Sequence, residues 1–351
     1  MTSGSAQVKI FVAGATGYIG GSVVSRLLKH PGVSGFKITA LIRSQDKADK
    51  LNTLGVDTII GSYTDDLELL TEAASNSDVV FTIVNGDQLP PMQAILQGLK
   101  QKFEKTGKTP ILIHTSGSAI ITDDARGLHG EATVFSDLDV ETLNALPPTA
   151  IHRKVDIPII EADRAGYVRA YIAAPGTVFG TPTGPLADLG VQNKHSVPIY
   201  FSVLFALDRK RAWFIGKGLN TWSAVDVEEN AEFYIRLFDA ALKERESIGH
   251  GKEGYYFTEA MTYNFLDLSG AVADILFELG ISNEKTPSAL NEEELNKYLG
   301  PMWPLFGTNS VVTGDRSRAL GWKPTLSKEA FIQHVKEEVK TILAEQANKA
   351  K

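Results

Sequence analysis

Along the first 180 residues, short apolar runs alternate with segments whose apolar positions recur every three to four residues. Runs of strand length between glycines or polar turn residues read as buried strands, and the longer 3.6-residue periods read as helices packed on them. Strands are expected at 8–13, 37–42, 58–60, 79–84, 111–115 and 169–174. Helices are expected between them at 21–29, 45–52, 66–75 and 91–105. Such alternation predicts an α/β fold, a doubly wound parallel sheet with crossover helices on its faces. Beyond Gly180 the pattern loosens. A loop at 181–185 precedes an apolar helix at 198–207, a strand at 222–225, a helix at 227–242 and a charged amphipathic helix from 327 to about 347. The expected division is a core domain over 1–180 and a second lobe in 181–351. That lobe lies mainly in 181–222 and 250–310, with 222–243 and the C-terminal helix returning to the core.

The first strand runs directly into Gly14-Ala15-Thr16-Gly17-Tyr18-Ile19-Gly20-Gly21, and a helical pattern in Val23, Val24, Leu27 and Leu28 follows at once. Strand, glycine turn and helix in that order form the context of a dinucleotide site. The glycines allow a tight turn and a close approach of pyrophosphate to the helix N-terminus, where free N–H groups attract anions.

Composition narrows the partners. A net charge of −7 argues against a nucleic-acid binder, which would carry a basic face. The chain has no cysteine, so disulfides, thiolate nucleophiles and Cys-ligated metals are excluded. Met1 to Gln7 is small and polar rather than a signal peptide, and the apolar stretch from His195 to Leu207 is too short to span a bilayer. A cytoplasmic protein is expected, with no membrane partner. No H-E-x-x-H or comparable spacing occurs, so no metal site is expected.

Four segments, in order, resemble the extended and atypical short-chain dehydrogenase/reductase superfamily, which contains the NAD(P)-dependent epimerase/dehydratases and the NmrA-like proteins. They are Gly14–Gly20, Ala174-Pro175-Gly176-Thr177-Val178-Phe179-Gly180, Trp222–Ala231, and Asp315 to Pro324 with its Leu320-Gly321-Trp322. The resemblance spans nearly the whole chain and implies a Rossmann-type domain with a smaller C-terminal substrate lobe. It also implies cofactor contacts from Gly14, Ala15, Thr16, Gly17, Tyr18, Ile19 and Gly20, from Ser62 and Tyr63 at the adenine, from Val84 and Asn85 toward the ribose and nicotinamide, and from Pro175, Thr177 and Val178.

The second strand ends in Ile42-Arg43, about 20 residues past the glycine turn. An acidic residue there would bind the ribose 2′-OH of NAD, whereas an Arg pairs with a 2′-phosphate through its planar fork. With Lys47 four residues on, the expected cofactor is NADP(H) in preference to NAD(H).

The family's redox chemistry uses Tyr-x-x-x-Lys with a Ser from the fifth strand. Spacing of four puts Tyr and Lys on one helical face, where the Lys cation lowers the phenol pKa for proton transfer. Ser116, after the strand 111–115, falls at the serine position. The dyad is absent, since none of the ten tyrosines has Lys four residues later. Two registers remain open. One keeps Lys154 and places Ala150 at the Tyr position. The other places His152 there, with Asp156 four residues on to orient it. Histidine titrates near neutrality and suits acid–base work, while Pro158 either kinks a helix here or sits in a first turn capped by Asp156. His114, on an apolar strand, reads as a core histidine.

The apolar helix at 198–207 suits a hydrophobic small molecule better than a nucleotide sugar. The leading expectation is an NADP(H)-dependent oxidoreductase acting on a small carbonyl or alcohol, with Ser116 and His152 or Lys154 in catalysis. The alternatives are a non-catalytic NmrA-like NADP(H)-binding regulator, or a redox-neutral isomerase or lyase. A homodimer is possible on any of them.

Overall fold

The computed structural model describes residues 7–244 and 247–349. The N-terminal reading of Met1 to Ala6 therefore lies outside the described residues. The chain opens with β1 (Val8–Ala13), α1 (Tyr18–Leu28), β2 (Phe36–Ile42), α2 (Gln45–Asn52), β3 (Asp57–Ile60), α3 (Leu67–Ser75), β4 (Val79–Thr82), α4 (Leu89–Thr106) and β5 (Ile111–Thr115). These elements fall where the apolar pattern placed them, with ends shifted by three residues at most.

β1 pairs in parallel with β2 on one side and β4 on the other. Across the sheet the order is Tyr255–Thr258, Arg169–Pro175, β5, β4, β1, β2, β3. The chain winds outward from β1 to β3, then returns across β1 to β4. This reversal opens a crevice at the carboxyl ends of β1 and β4, the place where doubly wound sheets bind ligands.

Strand side chains alternate between faces, and each face has its own core. Ile10, Val12, Val79 and Phe81 pack in one cluster with α1 and the helix Val227–Lys243. Phe11, Ala13, Val80 and Leu112 pack in the other with α3, α4 and the helix Arg153–Arg164. Burial of each such large apolar side chain stabilises the fold by roughly 1.5–3 kcal/mol, before the chain-entropy cost.

Two expectations for the last 170 residues are corrected. Tyr255–Thr258 was assigned to the second lobe, yet it pairs with Arg169–Pro175 as an edge strand of the central sheet. The C-terminal helix, Lys328–Lys349, does not return to the core. Its Phe331, Val335, Val339 and Ile342 pack in a third cluster with Trp213, Phe265 and Leu276 of the second lobe. Pro158 lies inside the helix Arg153–Arg164, whose cap residue is His152 rather than Asp156.

A three-stranded sheet of Thr177–Phe179, Thr221–Asp226 and Met261–Asn264 joins the two parts. The apolar helix Val197–Arg209 lies over the third cluster. Among the described residues, no helix is long and apolar enough to cross a membrane.

Candidate functional site

The glycine turn is shaped by backbone contacts that admit no side chain. Gly14 has φ +93°, and a Cβ there would collide with the Ile83 carbonyl. A Cβ on Gly20 would collide with the Gly14 carbonyl, which also accepts the Gly17 N–H at 2.9 Å. α1 starts at the Gly17 cap with no side chain satisfying its first amides. Those N–H groups remain available to an anion.

The turn forms the floor of a cleft of about 550 Å³ at the carboxyl ends of β1 and β4. Gly14, Thr16 and Gly17 line it from the turn, and Arg43 and Lys47 from the end of β2 and the start of α2. Ser62 and Tyr63 close the adjacent rim after β3, while Val84 and Asn85 follow β4. Arg43 is exposed, and among the described residues neither it nor Lys47 is paired with a carboxylate. Two unengaged cations beside a side-chain-free turn and open helix amides fit a phosphate-rich dinucleotide.

Several expected cofactor contacts do not line this cleft. Ala15 is fully buried, and Gly20 lies beneath Gly14. Tyr18 is buried and donates its hydroxyl to the Gly180 carbonyl at 2.6 Å. Burial, with the charges of Asp226, Glu338 and Glu228, raises its pKa. Ile19 packs against the first core cluster. Thr177 is hydrogen-bonded to the Tyr263 hydroxyl at 2.9 Å, and Val178 pairs with Val225 in the three-stranded sheet. Pro175 ends its strand with its carbonyl near Gly117 and does not line the cleft. The segment from Ala174 to Gly180 thus stitches the two sheets together.

The loops after β4 and β5 and the start of the helix Arg153–Arg164 carry the acid–base groups. His152 caps its helix with φ +68°, a left-handed conformation that costs a non-glycine residue about 1 kcal/mol or more. Asp87, in the loop after β4, accepts both the His152 backbone N–H at 3.1 Å and its Nδ1 at 3.2 Å. These bonds from His152 hold the Asp87 carboxyl below the usual carboxylate range. The ring lies over two glycines. A Cβ on Gly86 would stand 3.5 Å from Nδ1, and one on Gly117 would stand 3.1 Å from Nε2. His152 therefore stands over Gly117, next to Ser116 in the chain, and the carboxylate that meets its ring is Asp87 and not Asp156. Lys154 points to solvent and makes no bond to Ser116.

Asp156 instead sits beneath Ser116. Its Oδ2 accepts the Ser116 hydroxyl at 2.9 Å and the Tyr255 hydroxyl at 2.9 Å. Arg153, buried on the same helix, donates to that tyrosine oxygen at 2.9 Å. Asp156 Oδ1 faces His114 Nε2 at 3.7 Å, too far for a hydrogen bond. His114 Nδ1 is bonded to Thr82 Oγ1 at 2.8 Å. Burial pushes Asp156 up to about 6 and His114 down to about 3, so the imidazole stays neutral and the carboxyl keeps its proton to a higher pH than an exposed aspartate.

Asp87, Tyr255 and Asn193 are the site residues that sequence reasoning missed. Asp87 had a local signal, two residues past Asn85 in Val84-Asn85-Gly86-Asp87. Tyr255 and Asn193 had none, because each arrives from a distant part of the chain.

Comparison with known proteins agrees with the fold. A model of the NmrA-like family matches residues 6–101. The oxidase ucsJ of an Acremonium species is 30% identical over 337 residues, covering 90% of this chain and 92% of that one. Among solved structures, yeast methylglyoxal/isovaleraldehyde reductase complexed with NADPH superposes with a TM-score of 0.60. It is 16% identical, with 96% of this chain and 99% of that one covered. A dTDP-glucose 4,6-dehydratase from Streptomyces venezuelae, with NAD and TYD bound, gives 0.65 at 14% identity, covering 93% and 96%. At these identities the structural likeness establishes the fold.

Proposed function

The chain belongs to the extended and atypical short-chain dehydrogenase/reductase superfamily, and on that premise we propose that it is an NADP(H)-dependent oxidoreductase interconverting a small apolar carbonyl compound and its alcohol. The observation that carries the reading is the convergence of Arg43, Lys47 and the glycine turn on one cleft, beside Ser116 at the end of β5 and His152 at a helix cap. Gly14, Thr16 and Gly17 would cradle the pyrophosphate, Arg43 and Lys47 the 2′-phosphate, Ser62 and Tyr63 the adenosine, and Val84 and Asn85 the ribose. The bound nicotinamide would supply hydride transfer.

The remaining chemistry belongs to the side chains. His152 keeps Nδ1 toward Asp87, which leaves Nε2 to give or take the proton of a substrate oxygen. Asp87 fixes the orientation of the ring. Ser116 commits its hydrogen to Asp156, so its lone pairs receive the hydrogen of a substrate hydroxyl. Val197 and Phe201 stand exposed on the helix over the second lobe, which favours an apolar substrate. A relative named as an oxidase and a fold neighbour named as an NADPH-complexed reductase support hydride chemistry in either direction. A cytoplasmic setting, with a small molecule rather than nucleic acid or membrane as partner, completes the reading.

Calorimetric titration with NADPH and NADH side by side, followed by a panel of aldehydes, ketones and alcohols, tests it. NADPH-favoured binding with turnover supports it, and failure of both dinucleotides to bind overturns it. Binding without turnover across the panel would favour a non-catalytic NmrA-like regulator, a reading that the missing dyad and the match at residues 6–101 support.

A further inference from the structure

The segment Val191 to Ser196, from the second lobe, crosses the mouth of the cleft and is tied at three points. Asn193 lines the cleft and donates its backbone N–H to the Thr16 carbonyl at 2.9 Å. Gln192, buried, donates Nε2 to the Tyr18 carbonyl at 2.8 Å and to Ser22 Oγ at 3.0 Å. His195 holds the far end, with Nδ1 to Glu338 at 2.7 Å and Nε2 to Glu345 at 3.0 Å on the C-terminal helix. Two ring nitrogens facing two carboxylates both donate only in the imidazolium form.

From this geometry we propose that the segment 191–195 is a strap forming one wall of the dinucleotide cleft, and that His195 is its positioning residue, anchoring the wall to the C-terminal helix while protonated. The proposal rests on the reading of the cleft as a dinucleotide site. The strap touches the glycine turn through two backbone carbonyls, so its anchorage sets how firmly the turn is held for the incoming pyrophosphate.

The groups facing His195 fix the sign of the pH dependence. Glu338 is nearly fully buried and Glu345 half-exposed; the Tyr200 ring packs at 4.7 Å, and Lys194 beside it in the chain is exposed. Glu338 also neighbours His334 and Tyr18. The hydrogen bond that His195 donates to Glu338, reinforced by the one to Glu345, raises the His195 pKa above its ordinary 6.5. The clasp is thus complete on the acid side of neutrality and loses one of its two bonds as pH rises through the raised value.

The experiment titrates NADPH calorimetrically into the full-length protein and its His195→Gln and Glu345→Gln variants at about pH 6 and about pH 8.5. At the lower pH, His195→Gln should bind about tenfold more weakly than the wild type, with Glu345→Gln between them, and the gap should close at the higher pH. Equal affinities at the lower pH, or the same loss at both, would overturn the proposal. Glu345 is partly exposed, so its variant keeps the test valid should His195→Gln fold poorly. Amide exchange over residues 191–197 in dinucleotide-free protein gives a second readout. His195→Gln should speed exchange there at about pH 6, and unchanged protection would sink the strap. Failure of the wild type to bind either dinucleotide would instead remove the cofactor reading, with the exchange data still deciding the anchor.

Discussion

Ser116 donates its hydroxyl to Asp156 at 2.9 Å, joining the turn after β5 to a carboxyl with no exposed surface. The other oxygen of that carboxyl faces His114 Nε2, and both atoms lack a hydrogen-bond partner among the described residues. A buried ionised carboxylate is costly here, because the nearby Arg153 guanidinium is spent on Tyr255 and the Asn144 carbonyl.

Asp156→Asn should therefore stabilise the protein at neutral pH. The amide oxygen can still accept from Ser116 and Tyr255, while its NH₂ gains His114 Nε2 as an acceptor. With a folded pKa near 6 against an ordinary 3.8, Asp156 favours the fold fully below pH 3.8, and that contribution is lost as pH rises through about 6. A shift of this size corresponds to roughly 2–3 kcal/mol. Denaturation of both proteins from about pH 4 to about pH 7.5 should show the variant gaining on the wild type as pH rises. Parallel curves, or a variant less stable at neutrality, would contradict the raised carboxyl pKa.

His152 should invert the usual ranking of alanine and glycine. At φ +68° alanine keeps the strain and loses the ring bond to Asp87, whereas glycine loses the same bond but relaxes the backbone. His152→Gly should be more stable than His152→Ala by about 1 kcal/mol in urea denaturation, and both should lose turnover. An alanine variant equal to or better than glycine would mean that the left-handed cap is not maintained in solution.

Gly21, the last glycine of the turn, serves Gln192 rather than phosphate. A Cβ on Gly21 would overlap the Gln192 side chain, which is nearly fully buried. Helix propensity favours Gly21→Ala by about 1 kcal/mol, but the overlap should reverse the sign. Adding Gln192→Ala should recover much of the loss, giving a coupling of roughly 1–3 kcal/mol in a double-mutant cycle. Strict additivity would show that the two residues do not meet.

The physics of these contacts explains what the chain revealed before folding. β1 was legible because Ile10 and Val12 feed one core and Phe11 and Ala13 the other, giving a continuous apolar run. The glycine turn was legible because Gly14 and Gly20 answer a local backbone demand. Asp156 was visible as a candidate but was assigned to His152, because spacing along a helix says nothing of a serine arriving from another strand. The C-terminal helix showed an apolar face without indicating which cluster it would cover. Strand Tyr255–Thr258 is only four residues long, and its neighbour in the sheet lies some 80 residues earlier.

Cofactor discrimination is the prediction closest to the proposed chemistry, and Arg43 carries it. The guanidinium follows β2 at the cleft, exposed and unpaired among the described residues, where a 2′-phosphate would meet it as a bidentate partner. Arg43→Ala should weaken NADPH binding by about ten- to a hundredfold while leaving NADH within about threefold, since a ribose hydroxyl makes no comparable ionic contact. Lys47→Ala should have a smaller effect of the same kind, because an ammonium acts as a point charge without the planar fork. The wild-type preference should also shrink with added salt, and that dependence should be weaker in the arginine variant. Equal losses for both dinucleotides would place Arg43 at the pyrophosphate or adenine instead. No loss for either would remove it from the cofactor site altogether.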